Sequence, residues 1–159
     1  MKTNYTILFR GIPKNTEHFS QFKDIWSDHC DDTFVFGSFV YDSKNDKYFI
    51  AVKIQSDSII PRCVNNGSIS MIEVIPETIG QYTNFDNSED CPVFTNDVVY
   101  TRTRYGMDYG VIVFKEGRFC VEWNSEKHFP DKAKLLVHYD LNPQIKVIGN
   151  LYKEKDLLE

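Results

Sequence analysis

The stretch from Tyr109 to Asn124 constrains this chain more than any other. Apolar residues recur at every second position on both sides of Glu116-Gly117, the period that a pleated strand imposes on its two faces. With Glu116-Gly117 as a two-residue turn, Lys115 faces Arg118, Phe114 faces Phe119 and Ile112 faces Val121. Gly110 then stands opposite Trp123, which leaves room for an indole over bare backbone. One face of this hairpin carries Ile112, Phe114, Phe119, Val121 and Trp123 as a continuous core surface. A three-residue loop with a bulge would split that aromatic face, so the tight turn is the preferred register.

The same period appears elsewhere. Tyr5, Ile7 and Phe9 read as an opening strand closed by Gly11 and Pro13. Residues 33–41 and 47–54 read as a second hairpin around the polar loop 42–46. Residues 69–75 form a strand that Pro76 ends, while Pro61 argues against a central strand in 56–66. Residues 145–152 read as a strand interrupted by Gly149, and the apolar run 133–139 fits a strand or a short helix. Helical periodicity is confined to one region. Asn15 or Thr16 can cap it, Glu17 suits its first turn, and Phe19, Phe22, Ile25 and Trp26 make one apolar stripe. Residues 153–159 suit a terminal helical turn. The expected architecture is mainly β, a short-stranded barrel that leaves no exposed sheet edge, with one helix in the N-terminal half. The 159 residues fit a single domain, or two lobes, 1–75 and 76–159, sharing one core.

Charge and composition narrow the function classes. Residues 1–80 hold 8 basic and 10 acidic side chains, and the whole chain 18 and 23, so acidity is spread evenly and no basic stripe for nucleic acid stands out. Arg102, Arg104, Arg118 and Lys115 can still meet on one sheet face, which keeps nucleic-acid binding as the alternative reading. Cys30, Cys63, Cys91 and Cys120 are far apart and form no C-x-x-C pair, so they read as free thiols of a reducing, cytoplasmic compartment. No apolar run approaches the roughly 18 residues of a membrane helix.

Reactive side chains do not assemble in the sequence. Asp28, His29, Cys30, Asp31 and Asp32 are consecutive and cannot all turn to one ion, and ligands such as His18 or Cys63 would have to return to it, so a polar helix end is the simpler reading. Cys120 falls on a strand opposite Val113, as an inert thiol. His128 and His138 have no evident partner, and Glu122 beside Asp97 proves nothing in an acidic chain. No phosphate-cradling glycine loop or nucleophile elbow occurs. The expectation is a protein with no catalytic residue, metal or cofactor. Its aromatic residues are the better lead. Tyr82, Phe85, Tyr100, Tyr105, Tyr109 and Tyr139 exceed what a small barrel must bury, and residues 103–108, with Arg104, Tyr105 and Met107, form the candidate contact loop leading to Tyr109.

Several segments, in order, resemble the YopX family. They are Phe9-Arg10-Gly11, residues 34–38, the run Pro76 to Thr83 with Gly80, Gln81, Tyr82 and Thr83, residues 93–99 with Asp97, the central hairpin, and residues 147–152 with Gly149 and Asn150. Asn84 and Asn96 stand where the family usually has glycine. Asn tolerates the left-handed conformation best after glycine, so both mark positive-φ turns. Asp97 can then accept hydrogen bonds from turn amides, Gly149 marks a bulge or a close backbone crossing, and Asn150 ties that bend down. The stretch 17–32 is longer than the family's usual link. The resemblance implies a β fold with SH3-like barrel character and a gene carried by phages, prophages or other mobile elements. It implies no known reaction. The functional expectation is an accessory protein of the bacterial cytoplasm that binds a host protein or a second copy of itself, with a small ligand as a further alternative.

Overall fold

The computed structural model describes residues 7–15, 33–53, 69–87, 91–103, 106–124, 133–135 (backbone only) and 145–153. Among them the chain is mainly β, and one 3-10 turn, Pro76–Thr78, is its single helical element. The expected stripe of Phe19, Phe22, Ile25 and Trp26, and residues 56–66 and 154–159, lie outside the described residues. No described helix is long and apolar enough to cross a membrane.

The strands are β1 (Phe9–Gly11), β2 (Val35–Asp42), β3 (Lys47–Lys53), β4 (Ile69–Glu73), β5 (Gly80–Asp86), β6 (Pro92–Phe94), β7 (Asp97–Thr103), β8 (Gly106–Lys115), β9 (Arg118–Trp123), β10 (Ala133–Leu135) and β11 (Lys146–Asn150). They fall into two compact units, Ile7–Ile79 and the chain from Gly80 onward.

In the first unit the order is β4-β3-β2-β1, every pair antiparallel. The β2–β3 hairpin has the expected loop, with Asp42 opposite Lys47. The Asp42 carboxylate accepts from the Lys44 and Asn45 amides and from Asn45 Nδ2, and those donors hold it below the usual carboxylate range. The opening strand begins later than the Tyr5 alternation suggested. Phe9–Gly11 is the paired segment, and Ile7 is exposed. Pro13, expected to end the sheet, continues it through an isolated bridge to Val74, a place where a missing N–H costs little. Gly37 is required by packing, because a Cβ there would lie 2.2 Å from the Ala51 carbonyl oxygen. Val35, Ile50, Val52 and Val74 form the core, flanked by Phe9, Tyr48, Ile72 and Ile79.

In the second unit β5 pairs with β6, and the larger sheet has the order β10-β9-β8-β7-β11. The β8–β9 hairpin adopts the tight-turn register: Lys115 opposite Arg118, Phe114 opposite Phe119, Ile112 opposite Val121 and Gly110 opposite Trp123. Glu116 and Gly117 both have positive φ, as a type I′ turn demands. A Cβ on Gly110 would sit 2.9 Å from the Trp123 ring and from the Glu122 carbonyl oxygen, which explains the bare backbone beneath the indole. Val93, Val99, Ile112, Val121, Trp123 and Ile145 make this core. The hairpin face is less continuous than expected. Phe114 is 58% exposed and stacks edge-on against half-buried Phe119 beyond the end of the core.

The barrel expectation is corrected. Among the described residues the architecture is two antiparallel sheets and no closed barrel. In the five-stranded sheet β10 and β11 stand at opposite ends of the order, so its hydrogen-bond ladder does not return on itself.

Candidate contact surface

Alternation along β7 and β8 places Tyr100, Arg102, Met107 and Tyr109 on one face of the five-stranded sheet. Cross-strand partners share a face, and Tyr100 stands opposite Tyr109 while Arg102 stands opposite Met107. The two tyrosine rings are 6.4 Å apart and tilted by 46°. Met107 is 52% exposed, Arg102 is exposed and both tyrosines are half-buried. The neighbour Asp108 is buried on the opposite face, so this patch holds no carboxylate from its own strands. Of the candidate loop residues, Met107 and Tyr109 are therefore brought together. Arg104 and Tyr105 lie outside the described residues. Tyr100 and Arg102 complete the patch, and strand parity alone could have grouped them with Met107 and Tyr109.

Of the alternative basic patch, Arg104 lies outside the described residues, Lys115 and Arg118 pair across the hairpin, and Arg102 stands apart from them. Arg102 and Arg118 have the same parity, but Arg102 sits opposite Met107 and Arg118 opposite Lys115, at the two ends of β8. At about 3.4 Å per residue they are roughly 27 Å apart. Arg118 is drawn to Glu116 at 3.1 Å, and Lys115 to Glu122 at 3.6 Å. Glu122 does not lie beside Asp97 in the register: it faces Val111, while Asp97 faces Asn150.

The candidate metal residues Asp28, His29, Cys30, Asp31 and Asp32, with His18 and Cys63, lie outside the described residues, as do His128 and His138. Cys120 is buried opposite Val113, as read from the sequence. Among the described residues no three His, Cys, Asp or Glu side chains group closely enough to hold a metal ion.

The motif residues cluster as fastenings of turns. Thr78 is fully buried, donates from Oγ1 to the Ile75 carbonyl at 2.6 Å and accepts from the Ile12 amide at 2.8 Å. Gly80 is buried at the start of β5. The Gln81 amide donates to Thr95 Oγ1, and the Gln81 carbonyl accepts from the Thr95 amide. Tyr82 packs on Phe94 and donates its hydroxyl to Asp86 at 2.8 Å. Burial, then that hydrogen bond to a carboxylate, pushes the Tyr82 phenol up to about 12. Thr83 donates to the Val93 carbonyl and accepts from the Phe85 amide.

Asn84 and Asn96 have φ of 59° and 69°, the left-handed conformation expected of residues that replace glycine; Asn96 sits in the expected turn, whereas Asn84 lies within β5, where the pairing with β6 shifts. Asp97, 1% exposed, accepts from the Phe94 amide at 2.8 Å and closes the turn between β6 and β7. Its register partner is Asn150, and the pairing shifts between Val147 and Gly149, the expected bulge. Asn150 Oδ1 accepts from the Tyr152 amide, and the Leu151 amide donates to the Asn96 carbonyl. Two motifs more than fifty residues apart in sequence thus lock the same corner.

No curated protein matches this chain. The family model described as YopX protein matches residues 8–159, and so includes the β1 segment, the 3-10 turn, the Asn96–Asp97 corner, the central hairpin and the Gly149 bulge. On that match, which spans nearly the whole chain, the protein belongs to the YopX family.

Proposed function

We propose that this chain is a non-enzymatic accessory protein of a phage or other mobile element, acting inside a bacterial host by binding a protein. The observation that carries the reading is the patch of Tyr100, Arg102, Met107 and Tyr109 on one sheet face. Tyr, Met and Arg are enriched at the centres of protein interfaces, where they supply contact area at a modest entropy cost. The motif residues, by contrast, are spent on turns and bulges, and none of the contacts described for them sets up a nucleophile with a base. The net charge of −5 and the wide separation of Arg102 from Arg118 weigh against nucleic acid.

The test is affinity capture from bacterial lysate, with and without nuclease, using the wild-type chain and Met107→Glu. The expected result is a host protein retained after nuclease and lost by the variant, with equal melting temperatures for both chains. Capture that vanishes with nuclease, or that Met107→Glu leaves intact, overturns the reading. Turnover of nucleotides or esters at ordinary enzyme rates would overturn the non-enzymatic part.

A further inference from the structure

Four of the described cations of this acidic chain pair with acids. Lys14 and Lys47 both reach Glu73, at 2.8 and 3.0 Å, Lys115 reaches Glu122, and Arg118 reaches Glu116. Arg102 differs. It is exposed on β7 opposite Met107, beside the Tyr100–Tyr109 pair, and on this part of the face β7 and β8 present no acid. Among the described residues of this sheet face, the carboxylate of Glu122 faces Val111, four residues along β8 from Met107 and so about 14 Å from it, and it engages Lys115.

Resting on the reading of this patch as a protein-binding surface, we infer that its partner presents an acidic segment, with Arg102 taking an Asp or Glu carboxylate while Met107 and Tyr109 bury the adjoining apolar side chain. The physical basis is charge complementarity. A guanidinium offers a planar, two-pronged donor matched to a carboxylate, and a neighbouring apolar surface excludes water and strengthens the pair. Lys146 of β11, opposite Tyr100, adds a second exposed cation to this face and strengthens its complementarity to an acidic segment, whereas affinity for nucleic acid grows with the number of phosphates neutralised and two cations neutralise few.

The test uses the full-length chain on an array of synthetic peptides of randomised sequence, followed by solution titration of the strongest binder. The expected binders are rich in Asp or Glu beside aromatic or aliphatic residues. Converting the peptide's carboxylates to amides and substituting Arg102→Gln each weaken binding by about tenfold, and the two losses do not add. Arg102→Lys retains part of the affinity, which separates a charge effect from misfolding. If Tyr109→Ala abolishes binding while Arg102→Gln has no effect, the surface stands and the acidic partner falls. If neither substitution matters, or the array yields no binder, both readings fall. Displacement of the peptide by oligothymidylate at low salt assigns the face to single-stranded nucleic acid and overturns the inference.

Discussion

The two units solve the same problem with different means. In the unit from Gly80 onward, six core residues are at most 2% exposed, and the turns around them are held by buried side-chain hydrogen bonds from Thr83 and Asp97. In the unit Ile7–Ile79 the described core cluster has four members, with Phe34 and Phe36 also buried, and β2 emerges from it, with Phe39, Val40 and Tyr41 exposed on alternating faces. Its fastenings are one buried hydroxyl, Thr78 between the Ile75 carbonyl and the Ile12 amide, and two superficial ion pairs, Lys14 and Lys47 on Glu73. Exposed ion pairs contribute little because water screens them, whereas a buried donor left without its acceptor costs its full desolvation. The comparison teaches that the second unit holds its turns through several buried polar contacts, while the first combines one such contact at Thr78 with close backbone packing at Gly37.

The sharpest way to break this contrast is to remove one aromatic side chain from each unit. Trp123→Ala is expected to cost about 3–5 kcal/mol, and Phe39→Ala, at a partly exposed site, well under half of that. Amide hydrogen exchange, read separately at Ile112 and Ile50, measures each unit by its own core strand. Equal losses would erase the distinction. Gly37→Ala should follow, at about 1–3 kcal/mol, because its Cβ would collide with backbone rather than with a side chain able to move. Gly110→Ala should cost less, since two of its three close neighbours are side-chain atoms. Chemical denaturation of the two variants orders them, and a larger effect at Gly110 would contradict the packing account.

Asp97→Ala leaves the Phe94 amide buried without its acceptor and is expected to cost about 1–3 kcal/mol. Glu73→Ala, the matching polar deletion in the first unit, should be nearly silent. The smallest effects are on pH dependence. Tyr82 is raised from 10.0 to about 12, so its contribution is complete below pH 10 and is lost as pH rises through 12. Tyr82→Phe should flatten that alkaline limb, followed by ultraviolet absorbance of the phenolate and by melting temperature. Glu73 is held below its usual range by Lys14 first and Lys47 second, so its contribution is present above the unfolded value near 4.5 and fades as pH falls through the lowered one. Added salt should shrink this acid limb and leave the Tyr82 limb largely unchanged.

Much of this was legible in the residues. Period-two alternation and a Glu-Gly turn were enough to set the β8–β9 register, because a one-residue slip would turn Ile112, Val121 and Trp123 to the opposite face. Asn84 and Asn96 could be read as positive-φ positions through the resemblance to a family that usually has glycine there, since Asn tolerates that conformation best after glycine. Gly149 declared a bulge by having no side chain to pack. The site was legible only in pieces. Met107 and Tyr109 were named from composition, yet grouping them with Tyr100 and Arg102 required the β7–β8 register. The separation of Arg102 from Arg118 was hidden for the same reason: parity put them on one face, and only the register showed them at opposite ends of β8.

By itself, then, the sequence determined the strands, their tight turn and the residues that tolerate unusual backbone, all of which depend on neighbours within a few positions. The tertiary structure decided the strand order, the open sheets in place of a barrel and the meeting of Asn96–Asp97 with Gly149–Asn150. Those outcomes depend on which strands pair across long loops, where closure entropy varies slowly with length and local pattern carries no preference for one partner over another.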